Sequence, residues 1–182
     1  MADDSTYSTT WIFDPAHSEI TFKVKHLVIS TVTGQFHKFD GKIKSDGDDF
    51  EHAEIYFEAD VNSIDTRNKD RDAHLKSDDF FDAENHPKII FESKTFEKTG
   101  ESDYKLHGNL TMRGTTKPVT LDARHGGTVV DAAGQTKAGF EVQGEVNRKE
   151  YGLKWDAVTE AGSVVVGDKV QLQLNIQLAK EE

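Results

Sequence analysis

Residues Val170–Leu178 read Val-Gln-Leu-Gln-Leu-Asn-Ile-Gln-Leu, with an apolar side chain at every second position. Successive side chains of a strand point to opposite faces, so this pattern gives one buried and one wetted face, which a helix of period 3.6 cannot use. The same alternation recurs along the chain. It runs through Ile20, Phe22 and Val24; Ala53, Ile55, Phe57, Ala59 and Val61; Ile89 and Phe91; and Tyr104, Leu106, Gly108, Leu110 and Met112. It continues through Val119, Leu121 and Ala123, then Ala138, Phe140, Val142, Gly144, Val146 and Arg148. Phe36 and Phe39 are three apart rather than two, which predicts a bend near Lys38. Asp46-Gly47-Asp48 is a turn signal, and Gly126-Gly127 and Ala132–Gly134 read as loops. About eight strands, mostly neighbours in sequence, close into an antiparallel barrel or a two-sheet sandwich. Closure removes exposed strand edges and favours the barrel.

One stretch breaks the alternation. Asn62–Pro87 is densely charged, lacks glycine and carries the pair Phe80–Phe81. A long non-strand insertion in an all-β pattern is functional or disordered, and two adjacent phenylalanines argue against disorder. Asp65 or Thr66 can cap a short helix running to about Leu75, with Asp72 and Lys76 spaced as an i,i+4 pair. We read the insertion as a lid over whatever the strands enclose. Met1–Thr10 reads as a flexible tail, with one domain over residues 11–182.

The inward set is almost wholly apolar: Phe22, Val24, Phe57, Phe91, Leu106, Leu110, Phe140, Val142, Leu172 and Leu174. Those side chains either fill the barrel or line a cavity for an apolar ligand, since about eight strands can hold one small ligand. Gly108 and Gly144, on otherwise bulky faces, leave room for a ligand or let strands bend. Arg148 shares the inward register, and an unpaired guanidinium there is costly. It either pairs at the mouth with a lid carboxylate such as Asp72 or receives an anionic head group. His26, Arg71 and His74 are the other head-group candidates, and Phe80 and Phe81 are expected at the mouth.

Composition removes several function classes. The chain has 22 basic and 33 acidic residues, a net charge of −11, and no basic run for nucleic acid to meet. Without cysteine there is no disulfide, thiolate metal site or cysteine nucleophile. The histidines lack metal-ligand spacing, and no metal or cofactor is expected beyond a bound lipid. The Asp70–His74 run starts like a calcium loop, but Phe81 stands where the closing glutamate belongs. No stretch is apolar enough to span a bilayer, and the acidic N-terminus does not read as a secretory signal, so a cytoplasmic setting is expected. No nucleophile elbow or phosphate loop occurs. A Ser–His–acid site could draw on Ser18, His17 or His26 and a lid aspartate, but nothing favours it, so no enzymatic activity is expected.

These residues carry a further pattern. Asp14-x-x-His17-Ser18-x-Ile20-x-Phe22-x-Val24-x-His26 is followed by Val32-x-Gly34-x-Phe36-x-x-Phe39-x-Gly41 and Ser63-Ile64-Asp65-Thr66. Then come Arg71-Asp72-x-His74-Leu75-x-Ser77-x-x-Phe80-Phe81-Asp82, Pro87-x-x-x-Phe91-x-Ser93, and Gly108-x-Leu110-Thr111-x-x-Gly114-x-Thr116-Lys117-Pro118-Val119. Asn147-Arg148-x-x-Tyr151-Gly152-Leu153 completes the set. From about Trp11 onward the chain resembles the YceI-like family of polyisoprenoid-binding, lipocalin-like proteins. The resemblance implies an eight-stranded antiparallel lipocalin-like barrel, a long isoprenoid or similar amphiphile in an apolar tunnel, and a homodimer. It places Arg71–Phe81 near the tunnel mouth. Fatty amides or isoprenoid quinone tails fit the same expectation. The competing readings are an enzyme acting on a bound lipid and a stress-related protein whose barrel is packed solid.

Overall fold

The alternating runs do form strands. The computed structural model describes residues 7–27, 29–156 and 166–181. In chain order the elements are β1 (Thr9–Phe13), β2 (Glu19–His26), β3 (Ser30–Phe36), β4 (Phe39–Asp46), β5 (Asp49–Asp60), β6 (Ile64–Asp65), α1 (Lys69–Lys76) and β7 (Lys88–Lys98). They continue with β8 (Asp103–Met112), β9 (Thr115–Val130), β10 (Thr136–Asn147) and β11 (Val166–Lys180). Every recorded pairing is antiparallel, in the order β1-β4-β5-β7-β8-β9-β10-β11, and β11 returns to β1 to close the ring. The barrel has eight strands.

Two of those eight are broken strands. The C-terminal part of β11 pairs with β1 through Phe13↔Leu178, and its N-terminal part pairs with β2 through Ile20↔Leu174 and Val24↔Val170. The break between β1 and β2 is built by Asp14–Ser18. Asp14 N donates to Gln177 O (2.8 Å), and the Ser18 hydroxyl accepts from Gln177 N (2.9 Å) where a ladder carbonyl is displaced. A hydrogen bond with His17 holds the Asp14 carboxyl below its ordinary range, with burial opposing it and a further bond from Ala16 N helping. The bend expected near Lys38 separates β3 from β4, with Lys38 O accepting from Asp60 N (2.8 Å).

The structured chain starts before Trp11, since Thr9 and Thr10 already pair with Ser45 and Lys44. Residues 1–6 of the expected tail lie outside the described residues. Gly126-Gly127 does not form a loop. It lies within β9, where the register to β10 shifts beside Gly139 and Phe140, and Gly127 takes φ +137, which only glycine adopts without strain.

One end of the barrel is closed by aromatic packing. Trp11 meets Phe50 in a tilted contact at 5.0 Å, Phe50 meets Phe140 edge-on at 4.9 Å, and Phe96 stacks on Tyr104 at 4.5 Å. Trp11 Nε1 donates to Ser45 Oγ (2.8 Å), so the one polar atom of that fully buried ring is satisfied. The opposite end carries α1 and the turns that follow it.

Several glycines shape the wall between these ends. A methyl on Gly34 would stand 2.2 Å from Phe22 Cζ, one on Gly41 2.6 Å from Phe13, one on Gly108 2.5 Å from both Phe91 and the Glu92 carbonyl, and one on Gly144 2.1 Å from Leu121. The room at Gly108 and Gly144 is therefore taken by neighbouring side chains rather than left for a ligand. Each large side chain lies flat across the next strand instead of projecting into the middle.

Candidate functional site

The barrel is not packed solid. A cavity of about 190 Å³ runs along its interior, and every side chain lining it is apolar except Arg148. All ten inward residues named from the alternation line it, as do Phe80 and Phe81. The sequence reading passed over Phe13, Phe36, Phe96, Leu121, Leu153 and Val166, which line it as well. Leu121 belongs to a run whose parity marks it, whereas Phe96 is out of step with Ile89 and Phe91 and faces inward because the register to β8 shifts between Ser93 and Thr95. Leu153 and Val166 carry no periodic signal.

The insertion covers the end away from the aromatic closure. Its two ends meet, with Val61 N donating to Pro87 O (2.9 Å). The helix is capped by Asn68, whose side chain accepts from Arg71 N (3.0 Å), not by Asp65 or Thr66. Asp72 does not pair with Lys76; its carboxylate accepts from both the backbone N–H and the hydroxyl of buried Thr66. No residue of α1 is buried, so the helix is a rim. Burial falls to the turn after it, where Phe80 is 5 % exposed and packs on Trp155 at 5.5 Å, while Phe81 meets Phe36 at 6.1 Å. Arg113 ties this turn to the β8–β9 turn by donating to the carbonyls of Asp78 and Phe80.

The charged candidates are occupied within the protein. Arg148, 4 % exposed, donates from Nε to Gly167 O (2.8 Å), from Nη1 to Leu153 O (2.7 Å) and Trp155 O (2.8 Å), and from Nη2 to Val166 O (3.3 Å). It does not pair with Asp72. Asp168 is its nearest recorded carboxylate, at 3.9 Å, and Phe80 lies under the guanidinium at 5.8 Å. Burial pulls its pKa down, and Asp156 and Asp168 oppose that shift. A guanidinium holding four carbonyls is a brace between the chain after residue 148 and the start of β11.

Arg71 donates to Thr66 Oγ1 (2.8 Å) and Thr66 O (2.6 Å), and neither it nor His74 lines the cavity. His74 bonds Asp79 through Nε2 (2.9 Å) and sits edge-on to Trp155 at 4.7 Å. His26, half-buried at the end of β2, lies one inward position beyond Val24 and does not line the cavity. Ser18 and His17 do not form a nucleophile–base pair, since Ser18 bonds Gln177 and His17 bonds Asp14. Among the described residues no cluster of three or more His, Asp or Glu could hold a metal ion. Nor is any helix among them long and apolar enough to cross a membrane. Burial, with a lesser push from Glu150, drives the Tyr151 phenol up to about 12, so it stays an O–H donor.

Comparison with known proteins agrees with this geometry. The YceI-like domain profile matches residues 11–178. A UPF0312 protein of Staphylococcus epidermidis is 35% identical over 172 residues, covering 94% of this chain and 98% of that protein. BcnA of Burkholderia cenocepacia shares the fold at a TM-score of 0.79 and 22% identity, covering 91% of this chain and 98% of that one. A polyisoprenoid binding domain from Saccharophagus degradans does so at 0.65 and 15%, covering 94% and 98%.

Proposed function

The chain belongs to the YceI-like domain family, and we propose that its barrel encloses the tail of a single-chain lipid, a long isoprenoid or a similar amphiphile such as a prenylated quinone, for transport, storage or sensing. The observation that carries this reading is the interior cavity itself, apolar throughout except for an arginine whose guanidinium is already bonded. The Saccharophagus degradans neighbour shares this architecture, which makes prenyl chains the first ligands to offer.

The cavity volume bounds the enclosed chain. A water-sized atom needs about 10–15 Å³ by this measure, so about 190 Å³ takes on the order of fifteen non-hydrogen atoms, or about three isoprene units. Burying fifteen or so carbons at ~0.8 kcal/mol each contributes about 12 kcal/mol before association costs of about 4–15 kcal/mol. Affinity then depends strongly on how completely the chain fills the space.

Organic extraction of purified protein followed by mass spectrometry tests the reading, together with titration of delipidated protein by prenyl alcohols of increasing length. The expected result is one lipid per barrel, with affinity rising until about three units are enclosed and then levelling. Protein that carries no lipid and takes up none overturns it.

A further inference from the structure

The β9–β10 ladder does not run the full length of its strands. It pairs Val130 with Thr136 at the closed end and Asp122 with Gln143 at the other, and stops there. Thr115–Leu121 and Gly144–Asn147 continue without pairing to each other, although β9 stays paired to β8 and β10 to β11 along the same stretch. The ladder fails where Leu121 lies over Gly144. Pro118 falls in this part of β9, and a strand with a free edge tolerates the missing N–H.

Outside the gap lies a groove of about 430 Å³, with Thr120, Glu145, Asn147, Glu150, Tyr151 and Lys169 among its walls. Val119 and Val146 line both this groove and the central cavity, so two valine side chains stand between them. Tyr151 is 1% exposed, and its buried hydroxyl has no hydrogen-bond partner among the described residues. An unpartnered buried hydroxyl costs about 1–3 kcal/mol, and a ligand atom that bonded it would recover that cost. The groove also selects by charge. Glu145 and Glu150 face a single ammonium, Lys169, which already lies 3.9 Å from Glu145. A phosphate would meet more repulsion than attraction there.

We propose that this lateral groove is the subsite for the polar head of the barrel's lipid, an uncharged hydrogen-bonding head whose chain enters the cavity between Val119 and Val146. The inference rests on the lipid-binding reading above and adds where the head sits and of what class it is. As the chain parts Val119 and Val146, the covered Tyr151 hydroxyl is exposed to the groove and donates to a hydroxyl or carbonyl oxygen of the head, and Asn147 and Thr120 offer further polar contacts.

The test compares three ligands of equal chain length, a prenyl alcohol, its pyrophosphate and the headless hydrocarbon, on the unaltered protein and on Tyr151→Phe. The alcohol is expected to outbind the pyrophosphate. Tyr151→Phe should weaken the alcohol about tenfold, the loss of one hydrogen bond, and leave the hydrocarbon unchanged. The variant removes an atom without a partner, so it should fold as stably as the parent. Because the chain has no cysteine, a fluorophore can be placed on Thr120→Cys or, on the lid, on Asp78→Cys. A lipid with a nitroxide head should quench the first more than the second. Stronger quenching at the lid, or equal losses of alcohol and hydrocarbon in Tyr151→Phe, overturns the subsite while leaving lipid binding intact. Failure of the unaltered protein to bind either alcohol or hydrocarbon removes the lipid-binding reading itself, and the subsite with it.

Discussion

Replacing Arg148 with methionine keeps an unbranched stem of similar reach and removes the guanidinium. Four backbone carbonyls, those of Leu153, Trp155, Val166 and Gly167, then lose their donor. A lost hydrogen bond in a buried setting costs about 1 kcal/mol each, or about 4 kcal/mol together. Relief from burying a charge offsets part of this, leaving a destabilisation of about 2–4 kcal/mol. For a chain of this length that is a fall of roughly 5–15 °C in Tm. Urea unfolding followed by tryptophan fluorescence measures it. Arg148→Lys should recover only part, because an ammonium has three donors and no planar fork to span four carbonyls. The reasoning is refuted if Arg148→Met unfolds at the parent's urea midpoint yet selectively loses ligands with anionic heads. That outcome would make Arg148 a head-group receptor rather than a brace.

Two further expectations follow from other sites. Gly108→Ala sets a methyl 2.5 Å from the Glu92 carbonyl and should cost about 1–3 kcal/mol of stability, whereas Gly34→Ala meets only the far end of the Phe22 ring, which can swing into the cavity. The first variant should therefore lose urea resistance, and the second should mainly lose bound lipid per barrel, read by mass spectrometry. His125 lies against Phe140 at 4.9 Å, and burial lowers its pKa, with a hydrogen bond involving the Gly127 backbone opposing and Lys98 adding. The folded state thus favours the neutral ring. As pH falls through the unfolded value near about 6.5, the unfolded chain binds the proton first and stability drops until the folded value is reached. Urea midpoints at about pH 7.5 and about pH 5.5 should differ less in His125→Gln than in the parent; an unchanged difference would show that other groups carry the acid sensitivity.

Much of the site could be read in advance because the physics that selects it is periodic. Parity alone separates Phe57 from Glu58 and Leu110 from Thr111, and every residue so assigned to the inward set lines the cavity. Parity also put Arg148 inside, but it could not say what the guanidinium meets, since its partners lie on segments that only the closed fold brings together. Gly108 and Gly144 stood out as small residues on bulky faces. Whether that room belonged to a ligand, a bend or a neighbour depended on cross-strand register, which composition does not encode. Gly126-Gly127 carried the signal of a loop, and the same dipeptide serves equally well inside a bulged strand. The helix cap was misplaced by a few residues because Asp65, Thr66 and Asn68 all qualify by type, and Thr66 was drawn instead to Asp72.

Ring closure through β1 and β11 has a consequence for how the molecule is made. Trp11 pairs with Lys180, so the final register joins residues nearly the whole chain apart. β11 follows every other strand in chain order, and it supplies the partner for β1, β2 and β10 alike. Until it is synthesised, both flanks of the nascent sheet carry unpaired backbone groups, and the apolar interior faces water along an open slit. Such long-range pairing makes folding slow relative to helical proteins and leaves a growing chain prone to association through those flanks. Assembly of the barrel is therefore a late and single event, and the apolar interior is sealed only when the last strand arrives.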